Sequence, residues 1–196
     1  NIGRTYLGFF LLAVGLLWMK TYIVQLTQFN LGVEAGIQEF LLFLNPLGSC
    51  LLFLGIAFFS TGKKKYRRLL VIDFLLSCVL YANVVFYRFF NDYITLPTLL
   101  QVQNASDVSS SLGSVIMPYD ILFFSDILLL LALIFFKFVK MDGEETSKKR
   151  KRFVFVLALS VSILNLALAE MDRPQLLTRG FDRNYVVKYL GMYNYT

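Results

Sequence analysis

Five long apolar stretches divide the chain, and polar residues collect between them. The stretches cover Thr5–Leu26, Ile37–Ser60, Leu69–Phe90, Tyr119–Phe138 and Phe153–Ala169. A helix needs about 20 mostly apolar residues to cross a bilayer, and a water-soluble bundle would carry polar stripes along such segments. The pattern predicts an all-α, polytopic membrane protein with five transmembrane helices. We expect a membrane domain over residues 1–170 and an extracytoplasmic segment with short interfacial helices over residues 171–196.

The distribution of basic residues predicts how the spans are oriented. Lys and Arg are concentrated in the loops at 61–68 and 139–152, whereas the loops at 29–36 and 91–118 contain neither residue. The positive-inside rule places basic loops in the cytosol, where they also contact anionic lipid. With five spans, the N-terminus is then predicted to be cytosolic and the C-terminus extracellular.

Composition narrows the chemistry that this chain can perform. The chain is 57% hydrophobic and 16% charged, with a net charge of +6 and no histidine. The cations flank apolar segments, so they indicate topology rather than binding to nucleic acid. Cys50 and Cys78 lie inside apolar runs and are predicted to pack there. No phosphate-binding glycine loop, Ser/His/Asp grouping or metal-ligand spacing occurs, so we expect no catalytic residue, metal site or cofactor in this chain.

Polar side chains inside the spans form a candidate layer near the outer surface. At 1.5 Å of rise per residue, Lys20, Asn83, Asp126 and Asn165 lie roughly 7–10 Å below the outer ends of four spans. An ionisable group inside a bilayer is costly unless it is paired. We therefore predict an outward-facing polar pocket in which Lys20 pairs with Asp126. Further polar groups at its rim are Glu39, Arg88, Asp92, Asp120, Glu170, Asp172 and Arg173.

A simpler interpretation of the same residues stays open. Lys20 and Arg88 can extend to the outer headgroups, and the asparagines can bond one helix to another. Asp73 lies near the inner end of the third span, where we expect it to face the basic loop. Asn45-Pro46 inside the second span predicts a kink.

The closing segment has the spacing of a helix that lies on a membrane surface. Phe181, Tyr185, Tyr189 and Tyr193 recur every four residues, which places them on one helical face. We expect this face to rest among the outer headgroups while Arg179, Arg183 and Lys188 reach phosphates.

Several stretches resemble lipoteichoic acid synthases of Gram-positive bacteria. The most specific is "DRPQLLTRGFDRNYVVKYLGMYNYT", from Asp172 to Thr196, which resembles the segment after the fifth span of that family. "LYANVVFYRFFNDYITLPTLLQV", "LNLALAEMDRP" and "FNLGVEAGIQEFLLFLNP" resemble its third, fifth and second spans with their adjoining loops. The resemblance covers essentially the whole chain.

The resemblance implies more than this chain contains. Family members carry five spans, a linker and a large extracellular domain of alkaline-phosphatase-like fold. That domain holds a threonine nucleophile and a manganese ion, and it transfers glycerol phosphate from phosphatidylglycerol to a chain on a glycolipid anchor. No position here matches the nucleophile or the metal ligands, so we expect this chain to be the membrane domain alone. The branch of the family (elongating synthase, primase or stress-induced paralogue) stays open.

The resulting hypothesis is a membrane domain that anchors and positions an extracellular phosphoglycerol transferase. Its expected partners are a phosphatidylglycerol-like lipid, the glycolipid anchor, the catalytic domain of the same protein and cell-wall assembly proteins. Charge-assisted bonds to phosphate predict the headgroup residues Lys20, Arg88, Arg173, Arg179 and Arg183. The alternatives are a pure anchor or assembly scaffold and, with less support, a small transporter or flippase-like protein.

Overall fold

The computed structural model describes residues 6–33, 36–95, 113–139, 146–172 and 183–195. Within these ranges all regular structure is helical, which confirms the predicted fold class. Five helical segments are long and apolar enough to cross a membrane. They are α1 (Tyr6–Thr27), α2 (Ile37–Gly55, continued by a 3₁₀ turn Ile56–Phe59), α3 (Lys64–Phe90), the 3₁₀ turn Pro118–Phe124 with α4 (Ser125–Phe135), and α5 (Lys148–Asp172).

Helix ends differ from the ends of the apolar stretches. α3 and α5 both begin inside the basic loops, at Lys64 and Lys148, several residues before the predicted spans. Lys and Arg are good helix formers, so the helices continue beyond the apolar stretches. α4 ends at Phe135, earlier than predicted, and Lys137 just beyond it has a positive φ of 57°.

The bundle is built around α2, which packs against α1, α5 and the end of the chain. α2 and α5 run antiparallel and approach closely where α2 carries glycine. A Cβ placed on Gly48 would lie 2.9 Å from the Ser162 Oγ of α5. Small residues allow helices to pack closely in membranes, where packing rather than the hydrophobic effect drives association. The outer faces of α4 and α5 remain apolar and exposed, as expected for lipid contact.

One end of the bundle, called the basic end, carries the loop at 61–68 and the start of α5. Aromatic rings fill it: Tyr6 meets Phe58 and Tyr66 edge-on, with ring centroids 5.0 Å apart in both cases. The Lys65 ammonium lies over the Tyr6 ring, 4.8 Å from its centroid, and the residue is only 2% exposed. At least one cation of this loop therefore packs on the bundle.

The opposite end, called the tail end, is filled by two short helices, α6 (Arg183–Leu190) and α7 (Met192–Tyr195). These tail helices pack on α2 and bury Val187, Tyr189 and Tyr193. The expectation that Tyr189 and Tyr193 rest among lipid headgroups is wrong. Polar side chains inside the spans face the tail helices and bond to them, so Tyr189 and Tyr193 turn toward protein. Phe181 and the Tyr185 side chain lie outside what the structure describes.

Candidate functional site

Lys20 and Asp126 form a buried ion pair between α1 and α4, as expected from the sequence. The Lys20 Nζ lies 2.6 Å from the Asp126 Oδ2, and the two side chains are 10% and 4% exposed. The same Nζ donates to the Ser77 Oγ of α3 at 2.5 Å and to the Phe123 carbonyl at 3.0 Å. An ammonium has three N–H donors, so protein groups occupy all of them. Ser77 lies near the middle of α3, and the pair is correspondingly deep in the bundle.

Arg88 forms the second ionic centre, at the tail end of α3. Its Nη1 donates to both carboxylate oxygens of Asp120, at 2.9 and 3.0 Å, and to the Val115 carbonyl at 3.2 Å. Its Nε and Nη2 donate to the Gln28 Oε1 at 3.3 and 2.8 Å. The guanidinium also lies 5.6 Å from the Tyr119 ring centroid. Arg88 thus ties α1, α3 and the start of the fourth span together instead of extending to headgroups.

The two asparagines of the predicted layer bond to different segments. The Asn83 Oδ1 accepts from the Ile94 N–H at 3.0 Å, and its Nδ2 donates to the Val79 carbonyl. The Asn165 Nδ2 donates to the Tyr189 carbonyl at 3.2 Å. Asn83 therefore holds the chain after α3, and Asn165 holds a tail helix. The four residues of the layer do not converge on one pocket.

Side chains of α2 and α5 also hold α6 in place. The Asn45 Nδ2 donates to the Lys188 carbonyl at 2.9 Å, and the Gln38 Nε2 donates to the Tyr189 Oη at 2.9 Å. The Tyr189 hydroxyl in turn donates to the Asp172 carboxylate at the end of α5. Lys188 is 2% exposed and donates to the Gly32 carbonyl, so its expected contact with phosphates is wrong.

The second tail helix reaches further into the bundle. The Tyr193 Oη lies 3.1 Å from the Thr21 Oγ1. The Thr21 hydroxyl already donates its one proton to the Leu17 carbonyl. In the pair with Tyr193, the Tyr193 hydroxyl is therefore the donor. The Ser49 Oγ donates to the Asn194 Oδ1 at 3.1 Å. α1 and α2 each contribute a polar side chain that α7 satisfies.

The turn between the tail helices fits only glycine. Gly191 has a φ of +85°, a region that other L-residues rarely adopt. A Cβ added there would lie 2.9 Å from the Asn45 Cβ. Asn45 therefore packs closely against the turn at Gly191 while its amide donates to the Lys188 carbonyl.

Asp73 lies elsewhere than predicted. It is fully buried, and the Ser77 Oγ donates to its backbone carbonyl at 2.8 Å. Its carboxyl lies within hydrogen-bonding reach of the Asp126 carboxyl. The expectation that Asp73 faces the basic loop is wrong, because its helix begins earlier than the apolar stretch and carries it deeper into the bundle.

A groove of about 310 Å³ opens beside the Lys20–Asp126 pair, between α1 and the fourth span. Its walls are mostly apolar, and its mouth is bordered by exposed aliphatic residues such as Ile23 and Leu122. The lining residues are Lys20, Ile23, Val24, Thr27, Gln28, Tyr119, Leu122, Phe123 and Ser125. All three Lys20 N–H donors bond to protein groups, so Lys20 has none left for a ligand in the groove. The groove therefore fits a hydrocarbon chain better than a polar group.

The remaining predicted headgroup and rim residues that the structure describes lie at the tail end. Arg183 pairs with Asp92, and its side chain stays 54% exposed. Glu170 is exposed at the end of α5. Arg173 and Arg179 lie outside the described residues. Among the described ranges, no group of His, Cys, Asp or Glu is arranged to hold a metal ion. The headgroup roles stay predictions.

The fold and these contacts define a multi-pass helical membrane domain in which Lys20 and Arg88 pair with the buried carboxylates Asp126 and Asp120. Its final described segment folds back into the bundle. The family model described as lipoteichoic acid synthase N-terminal domain matches residues 1–196. The chain belongs to this family, and its apolar helices support a multi-pass location in a bacterial membrane. No solved structure matches it.

Curated relatives agree with this assignment. The chain is 47% identical to lipoteichoic acid synthase 1 and 48% identical to lipoteichoic acid synthase 2 of Bacillus subtilis (strain 168), each over 97% of its length. It is 42% identical to the lipoteichoic acid synthase of Staphylococcus aureus (strain USA300) over 96% of its length. The matched part is 30%, 29% and 29% of those proteins, respectively, so the chain spans about three tenths of the relatives' length.

Proposed function

We propose that this membrane domain anchors an extracellular phosphoglycerol transferase and sets its position over the outer leaflet. The observation that carries the proposal is the packing of the tail helices inside the bundle. A simple anchor needs only apolar spans, whereas here Asn45, Asn165 and Thr21 aim buried polar groups at the segment that follows the last span. Such groups are costly in a membrane interior unless they are satisfied, so the spans and the tail helices specify each other.

The groove beside Lys20 gives the same domain a second role. It lies on the lipid-facing side of α1 and the fourth span, in the half of the bundle that the charge pattern predicts to be extracellular. We propose that it holds an acyl chain of a phosphatidylglycerol-like donor, which would present the headgroup at the tail end. Arg183, with Arg173 and Arg179 beyond the described residues, supplies the cations for phosphate there.

The test of positioning uses the full-length protein with Asn45→Ala and Asn165→Ala combined. Both changes remove donors to backbone carbonyls of α6. At about 0.6 kcal/mol for each such bond in a membrane, docking of the tail helices weakens roughly sevenfold. We expect polymer yield, compared at matched membrane abundance, to fall by about half or more.

The matched control is Ser160→Ala, which changes an exposed residue of α5 away from the tail. It should leave the yield at the parent level. An Asn45→Ala/Asn165→Ala protein with undiminished polymer yield would refute positioning and leave the domain as a plain anchor. Transport of a lipid across the bilayer is the other alternative, and a vesicle assay of lipid movement distinguishes it.

A further inference from the structure

A second carboxyl group lies beside the Lys20–Asp126 pair and has no partner of its own. Asp73 is 0% exposed, and neither of its carboxyl oxygens receives a hydrogen bond from the described residues. An unpaired carboxylate in the interior of a membrane domain costs several kcal/mol. Asp73 therefore needs either a counter-ion or a proton.

Four elements carry the ionisable groups that interact electrostatically with the Asp73 carboxyl, and within the described residues none of them supplies a free cation. α1 contributes Lys20, and the start of the fourth span contributes Asp126, whose carboxyl is within hydrogen-bonding reach of Asp73. α2 contributes Cys50, and α7 contributes Tyr193, both buried and uncharged as a thiol and a phenol. Within the part of the chain that the structure describes, the three ionisable charges of this cluster are two carboxyls and one ammonium.

The hydrogen bonds of the cluster show that a donor between the Asp73 and Asp126 carboxyls is missing. Lys20 directs its three donors to Ser77, Phe123 and Asp126, so none remains for Asp73. Two ionised carboxylates are acceptors only and repel each other at hydrogen-bonding distance. One proton between them removes the repulsion, supplies the absent donor and brings the net charge of the cluster to zero.

We propose that Asp73 is a proton-binding site inside the membrane domain, where its carboxyl O–H donates to the Asp126 carboxylate. Lys20 holds the other side of Asp126, which gives a chain of Asp73 O–H, Asp126 carboxylate and Lys20 ammonium across α3, the fourth span and α1. The site goes beyond anchoring, because the contact between these helices then depends on a bound proton and weakens when the proton leaves.

The test compares melting temperature against pH for the full-length protein in lipid nanodiscs, with choline chloride as the salt. Raising the pH removes the proton from Asp73, whereas the amide of Asp73→Asn donates to Asp126 at every pH. We expect the transition of the parent's membrane domain to fall by roughly 5 °C between pH 6 and pH 9, at 2–4 °C for each kcal/mol in a unit of about 150–250 residues. Asp73→Asn should lose less than half of that.

Asp92→Asn is the matched acid-to-amide control, because Asp92 pairs with Arg183 at the tail end. Its pH profile should follow that of the parent. Parallel profiles of the parent and Asp73→Asn would overturn the proposal. Replacing choline by sodium separates the two possible ligands: a sodium-dependent gain in the parent's melting temperature at pH 9 would show a metal-cation site and would also overturn it.

A chemical probe keeps the test decisive if Asp73→Asn does not fold. Dicyclohexylcarbodiimide enters membranes and reacts with protonated carboxyl groups, leaving a stable N-acylurea on the side chain. We expect peptide mass spectrometry of the parent to find this adduct on Asp73 at pH 6, with at least a tenfold lower yield at pH 9. An unmodified Asp73 at pH 6 would contradict a bound proton.

Discussion

Lys20 donates all three of its ammonium protons to protein groups, one of them to the Asp126 carboxylate. Loss of Lys20 would leave Asp126 as a buried charge without its partner. Removing one member of a buried ion pair leaves the other as an unpaired charge and costs about 3–5 kcal/mol. Replacing both members with apolar residues avoids that cost, because neither charge is then buried alone.

The prediction at this scale is a double-mutant cycle with Lys20→Met and Asp126→Leu. Each single change should lower the melting temperature strongly, and the double change should recover a large part of the loss because no unpaired charge remains. Thermal melting in lipid nanodiscs measures all four proteins. Additive losses in the double variant would show that the two residues do not stabilise each other.

A side-chain contact could be predicted from the sequence only where one residue had a single oppositely charged residue at similar depth in another span. Lys20 and Asp126 are opposite charges inside apolar spans at similar depth. Their pairing can be predicted because an unpaired charge in the bilayer is energetically costly. Asp73 could not be placed, because its depth depends on where α3 begins, and that helix extends into the basic loop. The sequence shows no visible partner for Asn45, since it bonds to a backbone carbonyl 143 residues away.

At the scale of elements, the groove between α1 and the fourth span is the feature with the clearest consequence. A lipid chain gains no hydrophobic free energy on leaving the bilayer for an apolar groove, because lipid tails are as apolar as the lining. Retention of a lipid there depends on shape and on contact with the few polar groups of the lining. A single bulky residue in the groove should therefore displace it.

The corresponding prediction uses Ser125→Trp, which places a large ring in the groove at the first turn of α4. The protein purified in mild detergent should retain about half as much phospholipid as the parent or less, because the ring fills the space that the acyl chain needs. Native mass spectrometry counts the bound lipid. Ser160→Trp, on the exposed face of α5, is the control and should retain the parent's amount.

Equal lipid retention by Ser125→Trp and the parent would refute an acyl chain in the groove. Periodicity located the helices that form its walls, but it could not show a gap between them. The tail helices illustrate the same limit. The four-residue aromatic spacing predicts one helical face, but Gly191 ends α6 and places Tyr189 and Tyr193 on separate helices. Polar groups on α1, α2 and α5 hold both tail helices against protein.

For the whole molecule, the orientation in the membrane follows from charge and stays a prediction. The basic end carries exposed cations around Lys63 and Lys148, whereas the described part of the tail end exposes few, such as Arg183. The retention of Lys and Arg on the cytosolic side during insertion places the basic end inside the cell. The number of spans was predictable from apolar length alone, since each of the five crosses the length threshold separately.

The orientation is checked with cysteines at two exposed positions, Thr61 at the basic end and Ser114 at the tail end. In intact cells, Ser114→Cys should react with a membrane-impermeant maleimide, and Thr61→Cys should react only after the cells are opened. The parent controls for Cys50 and Cys78, which lie within the spans. Labelling of Thr61→Cys in intact cells would reverse the assigned orientation.

The packing of the tail helices also shortens a tether. A flexible chain with the length of residues 173–195 would have a root-mean-square end-to-end distance of about 25 Å. With α6 and α7 held in the bundle, whatever follows Tyr195 in the longer relatives departs from a fixed point and not from the end of such a chain. A domain attached there would search a smaller volume above the membrane, and its encounters with lipid at the tail end would become correspondingly more frequent.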